Sequence, residues 1–434
     1  MYNAYHNSLK ENMIFHPDFA WRNSPLFASL EDTIARAAAL VRAPRKTRTV
    51  PLPEAGGEVL ARDVTADRNI PPFPRAAMDG FAVVWTGMED RSPYRVIGTV
   101  TPGTRWSGAC GAGDCVKIMT GAAVPPPFDT VIQVERSQTG ADGFVRFTEK
   151  ARPGQHIAPE GDDARKGQLL LPAGTVLFPR HVATLAAVGQ WEIPVFERPS
   201  VTILPTGSEL KEPWEPAEGP MIRNSNAHFV RAALARIGAR EVHYGGIVTD
   251  DPNSTRERIR EGLADDFLLL SGGVSEGEVD VVPQCLAECG VEKVLHKVAM
   301  KPGKPLYLGR GPSGTVVIGL PGNPMSVMVH MAMLVKPLFL KGSGAREYLP
   351  KPVYLPLAAE AHNRSIGKKF TPARVVSKGG KSVVAEIPSN GSGDFISALR
   401  AEGVFEIPAG VSRLGPGDLV GFHPVWGDLF QDEG

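Results

Sequence analysis

A chain of 434 residues is too long for one ordinary hydrophobic core and implies two to four domains. Its 47 basic residues balance 47 acidic ones, so no net field favours nucleic acid or an anionic membrane, and neither is expected as a partner. Four cysteines are too few for a disulfide scaffold at this length, which makes a reducing cytoplasm the expected compartment.

Residues 1–24 read as a tail, since Lys10, Glu11, Asp18 and Arg22 leave no apolar run for a signal peptide. Ser29 then caps a helix whose first turn carries Glu31 and Asp32. From Thr49 to about Lys150, short runs such as Tyr94 to Val100 and Thr130 to Val134 alternate between Gly and Pro turns, the pattern of a small β domain. Helical periodicity returns from Gly174 to Gly189, with Val182, Leu185, Ala186 and Val188 apolar. Between about Val195 and Gly344 strands alternate with helices. Val201 to Leu204, Phe267 to Leu270 and Thr315 to Leu320 read as buried strands; Asn226, Asp251-Pro252 and Pro324 read as helix starts. That alternation implies βαβ units and a parallel sheet covered on both faces. Cys285 and Cys289, four apart on an expected helix, read as core thiols because no other Cys or His stands beside them at ligand spacing. Met325 to Leu340 is interrupted by His330 and Lys336 and falls short of the ~20 apolar residues of a membrane span. After Pro350 the chain is strand-rich again.

The loops of the α/β region carry the chemistry. Ser271-Gly272-Gly273-Val274-Ser275 continues through Glu276 to Asp280, joining glycines that permit close backbone approach to acids that suit a cation. Pro205-Thr206-Gly207-Ser208-Glu209 and Leu320-Pro321-Gly322-Asn323-Pro324 follow other strands, so a parallel sheet delivers all three loops to one edge. Met300-Lys301-Pro302-Gly303-Lys304-Pro305 fixes two lysines three apart with prolines, a spacing suited to an oxyanion or phosphate. The helix start at Asn323-Pro324 offers free backbone N–H groups beside them. Acids for a divalent cation and lysines for anions together describe a site for a phosphorylated ligand. In the β domain, Asp79 on its Gly turn and Thr120 before Gly121 each read, taken alone, as turn chemistry rather than a site.

Taken in order, Met78-Asp79-Gly80-Phe81, Met119-Thr120-Gly121-Ala122, Thr206-Gly207-Ser208-Glu209-Leu210, Asn224-Ser225-Asn226, Asp250-Asp251-Pro252, Ser271 to Ser275, Lys301 to Pro305 and Leu320 to Pro324 resemble the molybdopterin molybdenumtransferases, the MoeA and gephyrin E-domain family. The resemblance spans about residues 25–430. It implies a multidomain α/β plus β architecture. A tail (1–24) would precede a discontinuous helical domain (25–47 and 154–192), an inserted β domain (48–153), a molybdopterin-binding-type α/β domain (193–345) and a β-barrel-like C-terminal domain (346–434). It implies a homodimer whose cleft is shared between subunits, with molybdopterin adenylyltransferase and molybdoenzyme apoproteins as further partners. The implied substrates are adenylylated molybdopterin and molybdate, with AMP released and Mg²⁺ required. By position, Asp250 and Asp280 would hold Mg²⁺, with Glu209 beside them. Lys301, Lys304 and Ser326 would bind oxyanion oxygens, with Ser271, Gly272, Gly273, Ser275, Pro305 and Asn323 lining the substrate. Asp79, Thr120 and Asp163 would reach the cleft from the partner subunit. The chain departs from the family pattern at Ala76, Phe81, Ala158, Ser208, Asn224 and Pro372. Ser208 and Asn224 replace acids and would thin the shell around the metal; Pro372 replaces an Arg that Arg374 would substitute. Two rival readings follow: a weakened paralogue acting as cofactor carrier or scaffold, and an adenylyltransferase, which shares the α/β module but normally lacks the flanking domains.

Overall fold

The computed structural model describes residues 14–15, 27–44, 46–85, 93–148, 151–274 and 281–424. At its centre is a six-stranded sheet in the order Val242–Tyr244, Val201–Pro205, Phe267–Ser271, Val316–Leu320, Tyr307–Arg310, Glu292–His296. The three inner strands Val201–Pro205, Phe267–Ser271 and Val316–Leu320 are buried along their whole length. Alternation sends Ile203, Leu269 and Ile318 into one core and Leu204, Leu268, Leu270 and Val317 into another, so helices cover both faces. The sheet is mixed rather than parallel throughout, because Tyr307–Arg310 runs antiparallel to both of its neighbours. Only a short Gly-Pro-Ser-Gly turn separates Arg310 from Thr315, too few residues for a parallel crossover.

Pro252–Gly262 starts as expected, with the Asp251 carboxylate accepting from Ser254 N at 2.7 Å. Cys285 and Cys289 point their thiols at Pro252 O (3.7 Å) and Arg256 O (3.6 Å) on that helix, which makes them packing residues between two helices. Asn226 is already inside its helix, Asn226–Arg236, and the capping acceptor is Asn224 Oδ1, which takes Ala227 N–H at 3.2 Å. Pro324–His330 continues through a π turn, Met331–Val335, into Lys336–Gly342. Pro337 has no N–H to return to Met333, which accounts for the irregular turn. This 19-residue helix is long and apolar enough to cross a membrane, beyond the length expected above, yet 78% of its most apolar stretch is buried inside the fold. It is a core helix here.

The helix Leu30–Leu40 forms as expected, with Ser29 Oγ accepting from Asp32 N at 3.0 Å. It packs on the α/β sheet, however: Leu30, Ala37 and Ala38 join the core of Ile203 and Phe339, and the Lys341 ammonium donates to Ala38 O. The unit expected as a discontinuous helical domain is therefore mostly strand. Thr47–Pro51 pairs with Glu192–Phe196, Val64–Thr65 pairs with Leu169–Leu171, and one helix, Pro179–Ala187, covers a core of Leu60, Leu177 and Ile193. The inserted β domain begins later than expected. Its six strands run Thr130–Gln133, Gly80–Val83, Asp114–Ile118, Tyr94–Val100, Phe144–Phe147, Ser137–Thr139.

The C-terminal sheet contains a strand of the preceding domain. Met300–Lys301 lies parallel to the start of Lys368–Lys378, which is followed in the sheet by Gly403–Ile407, Leu419–Pro424 and Val353–Pro356. Lys368 strengthens this junction through ion pairs to Glu31 (2.8 Å) and Glu406 (3.0 Å). Burial works against its charge, but the two carboxylates outweigh that and raise its pKa.

Candidate functional site

The sheet edge assembles the three expected loops. Thr206 N donates to Ser271 O at 2.9 Å, and Gly272 N to Leu320 O at 3.1 Å. Asn226 Nδ2 reaches both Ser271 Oγ (3.2 Å) and Gly322 O (2.7 Å), tying two loops to the start of a helix. Gly272 has φ +97°, and a Cβ there would lie 2.3 Å from Thr206 O, so the close approach of the two loops requires glycine. Ser275 and Asp280, with the residues between them, lie outside the described residues.

Two acids flank the Thr206-Gly207-Ser208 turn. Asp250 accepts from Ser208 N at 3.2 Å, while its own N–H donates to Ser208 Oγ at 3.2 Å. The Glu209 carboxylate folds over Gly207, where an added Cβ would meet Oε2 at 2.5 Å. Two carboxylates on one turn suit Mg²⁺, which takes one or two protein carboxylates and leaves its other positions to water and phosphate. Among the described residues no group of three metal-ligating side chains forms. Asn224 is 2% exposed, and its amide donates to the Tyr244 hydroxyl at 2.9 Å.

The lysines occupy a cavity of about 560 Å³ between the α/β and C-terminal domains. Lys301, Lys304, Pro305, Asn323 and Ser326 all line it. Lys304 stacks over the Phe27 ring at 4.5 Å, which fixes its long stem. Between the lysines, Gly303 (φ +103°) accepts a 2.7 Å hydrogen bond from Nε2 of the buried His330, and a Cβ there would collide with that same nitrogen. Burial holds the His330 imidazole down at about 4, partly opposed by the Gly303 and Pro305 backbone, so it is neutral near pH 7. From the other wall, Asn323 Nδ2 donates to Ser392 Oγ at 2.9 Å, and Met325 N donates to Ser392 O at 3.1 Å. One of the helix-start N–H groups expected to be free is thus already bonded.

Sequence reasoning missed Phe27, Lys369, Thr371 and Ser392, which also line the cavity. Phe27 and Thr371 carry no local signal, while the short stretches Gly367-Lys368-Lys369 and Asn390-Gly391-Ser392-Gly393 were not singled out, and the folding of the C-terminal sheet against Met300–Lys301 reveals them. Arg374 is not part of this lining; the added cation is Lys369. Asp79, Thr120 and Asp163 do not line it either. Thr120 donates twice to Asp79 Oδ1, from Oγ1 and from N at 2.7 Å each, and these bonds hold the Asp79 carboxyl below its usual range. Asp163 is exposed on a nearby turn whose backbone bonds Ile70 O at 2.8 Å.

Comparison with known proteins matches this architecture piece by piece. Residues 28–189 match the MoeA N-terminal region (domain I and II), 202–341 a probable molybdopterin binding domain, and 354–425 the MoeA C-terminal region (domain IV). Fold and site thus define a multidomain transferase of molybdenum cofactor biosynthesis. The molybdopterin molybdenumtransferase of Synechococcus elongatus is 32% identical over 406 residues, 91% of this chain and 97% of that protein. That of Synechocystis is 30% identical over 372 residues, 85% and 92% respectively. The molybdopterin biosynthesis MoeA protein of Pyrococcus horikoshii superposes with a TM-score of 0.76 at 28% identity, covering 91% of this chain and 99% of that one. The chain belongs to the molybdopterin molybdenumtransferase family.

Proposed function

We propose that this chain inserts molybdenum from molybdate into adenylylated molybdopterin, with release of AMP. The observation that carries this reading is the cavity between the α/β and C-terminal domains, where Lys301, Lys304, Ser326 and Asn323 converge. Two ammonium groups and two polar side chains lining one cavity suit a tetrahedral dianion. The adenylylated pterin lies along the sheet edge, its pyrophosphate against the glycine loop Ser271-Gly272-Gly273. Asp250 and Asp280, with Glu209, would hold Mg²⁺, which when bound would neutralise phosphate charge. The residues present do the positioning. Gly272 lets the two loops close on one another, and Lys301 and Lys304 hold the oxyanion beside the departing AMP.

Asp79, Thr120 and Asp163 complete the cleft from a second copy in a homodimer, and the C-terminal sheet takes a barrel-like form. The protein works in the cytoplasm. Delivery of adenylylated molybdopterin by its adenylyltransferase, and transfer onward to molybdoenzyme apoproteins, are part of the same proposal.

The test supplies adenylylated molybdopterin, molybdate and Mg²⁺ to the full chain and follows AMP release and active cofactor. Lys301→Ala should weaken the dependence on molybdate more than pterin binding, and Asp280→Asn should slow AMP release. Release that Asp280→Asn leaves unchanged would sink the metal role. No turnover with pterin still bound would favour the carrier reading. ATP-dependent adenylylation of molybdopterin would favour the adenylyltransferase.

A further inference from the structure

We propose that Phe27 is a positioning residue of the cleft, holding the Lys304 ammonium on its ring face without cancelling the charge. This rests on the reading of Lys304 as an oxyanion ligand and assigns what holds that lysine in place. The Lys304 Nζ stands 4.5 Å from the Phe27 ring centroid, and both residues line the cavity. At that distance the negative face of the ring attracts the cation.

Lys304 has no stronger restraint. Among the described residues its ammonium forms no ion pair and no hydrogen bond, so the ring is what holds it. Elsewhere the fold fixes lysines with carboxylates: Lys368 between Glu31 and Glu406, and Lys351 against Glu347. A carboxylate on Lys304 would offset the charge that an incoming anion needs, and would itself repel that anion. A phenyl ring carries no net charge, so it restrains the ammonium and leaves its full positive charge to the cavity. A lysine stem loses several rotors when a ligand immobilises it, and a restraint present before the ligand arrives removes part of that loss from binding.

The backbone sets the ring beside its lysine. Ala28 forms a parallel bridge to Val298, and its carbonyl accepts from Ala299 N at 2.8 Å. Val298 N in turn donates to Lys304 O at 3.0 Å. Phe27, next to Ala28, and Lys304 are therefore both tied by main-chain bonds to the segment Val298–Ala299. Ser29 then caps the helix Leu30–Leu40, which fixes the chain on the other side of the ring. Main-chain bonds on this scale hold a side chain's origin more firmly than packing alone, which suits a positioning role.

The test is equilibrium dialysis of the full chain against molybdate, with Phe27 replaced by phenylalanines of increasing ring fluorination. Fluorine keeps the shape of the ring and withdraws density from its negative face, so a purely structural role would not follow the series. Molybdate affinity should fall step by step, by roughly three- to tenfold at full fluorination. In Lys304→Met the same series should be flat, because the ring acts through that ammonium. If Lys304→Met weakens molybdate binding but fluorination does not, the oxyanion reading stands and this inference fails. Tighter binding on fluorination would show that ring and anion compete for the ammonium, and would overturn it too. A fluorination effect that persists in Lys304→Met has the same force. If the parent binds no molybdate, or Lys304→Met binds it like the parent, the oxyanion reading fails first and the inference with it.

Discussion

Gly303 and His330 set the geometry of the lysine loop from beneath. Alanine at 303 would face both a φ of +103° and a contact of 2.7 Å with His330 Nε2. We expect Gly303→Ala to cost about 1–3 kcal/mol in thermal denaturation and to weaken molybdate binding, because the lysines on either side move with the loop. His330 has a pH signature of its own. Its imidazole titrates near 6.5 when unfolded and about 4 when buried. Stability from this group is therefore complete above pH 6.5 and declines as pH falls toward 4, since only the unfolded chain takes up the proton in that window. The loss is on the order of 3 kcal/mol. Stability curves of the parent and His330→Gln should differ in slope between pH 6.5 and 4; parallel curves would refute the assignment. Lys301, Lys304, Asn323 and Ser326 were legible as a group because their motifs are local. His330 was not, since a histidine within an apolar run looks the same from sequence whether it supports a loop or merely packs.

At the scale of elements, the three inner strands were readable because burial on both faces leaves continuous apolar runs. The reversal of Tyr307–Arg310 was not anticipated, because a hairpin partner and a parallel strand carry the same apolar pattern and only the short turn before Thr315 tells them apart. Asn226 shows the limit of local rules in another way. It has the chemistry of a cap, yet its amide is committed to Ser271 and Gly322, and Asn224 takes the capping role. Asn226→Ala removes both cross-links, and we expect about 1–2 kcal/mol of destabilisation. Amide hydrogen exchange should quicken around Gly272 and Gly322 before it does in the inner strands. Equal protection in parent and variant would show that the loops hold together without this amide.

Across the whole molecule, a multidomain architecture was legible from length and composition changes, but which elements pack together was not. The helix Leu30–Leu40 joined the α/β core because Ala37 and Ala38 allow a close approach to it, a long-range fit that no local signal encodes. A second junction centres on Glu58, which is 5% exposed and has Arg48 at 2.8 Å, Arg240 at 2.7 Å and Arg198 at 3.6 Å. Burial lowers the Arg198 pKa, and Glu58 opposes that. Glu58→Gln leaves three guanidinium groups without their counter-charge, and chemical denaturation should show a loss of about 3–5 kcal/mol. The pairing of Met300–Lys301 with the C-terminal sheet has a different consequence. Backbone hydrogen bonds stitch the cavity's floor, including Lys368 N to Ala299 O at 3.2 Å, whereas its opposite rim is latched by two bonds to Ser392, from Asn323 Nδ2 at 2.9 Å and from Met325 N at 3.1 Å. A strand pairing parts less readily than two bonds onto one loop serine, so the cleft has a firmer spine than edge, and we expect it to loosen at Ser392 before it does at the pairing of Lys301.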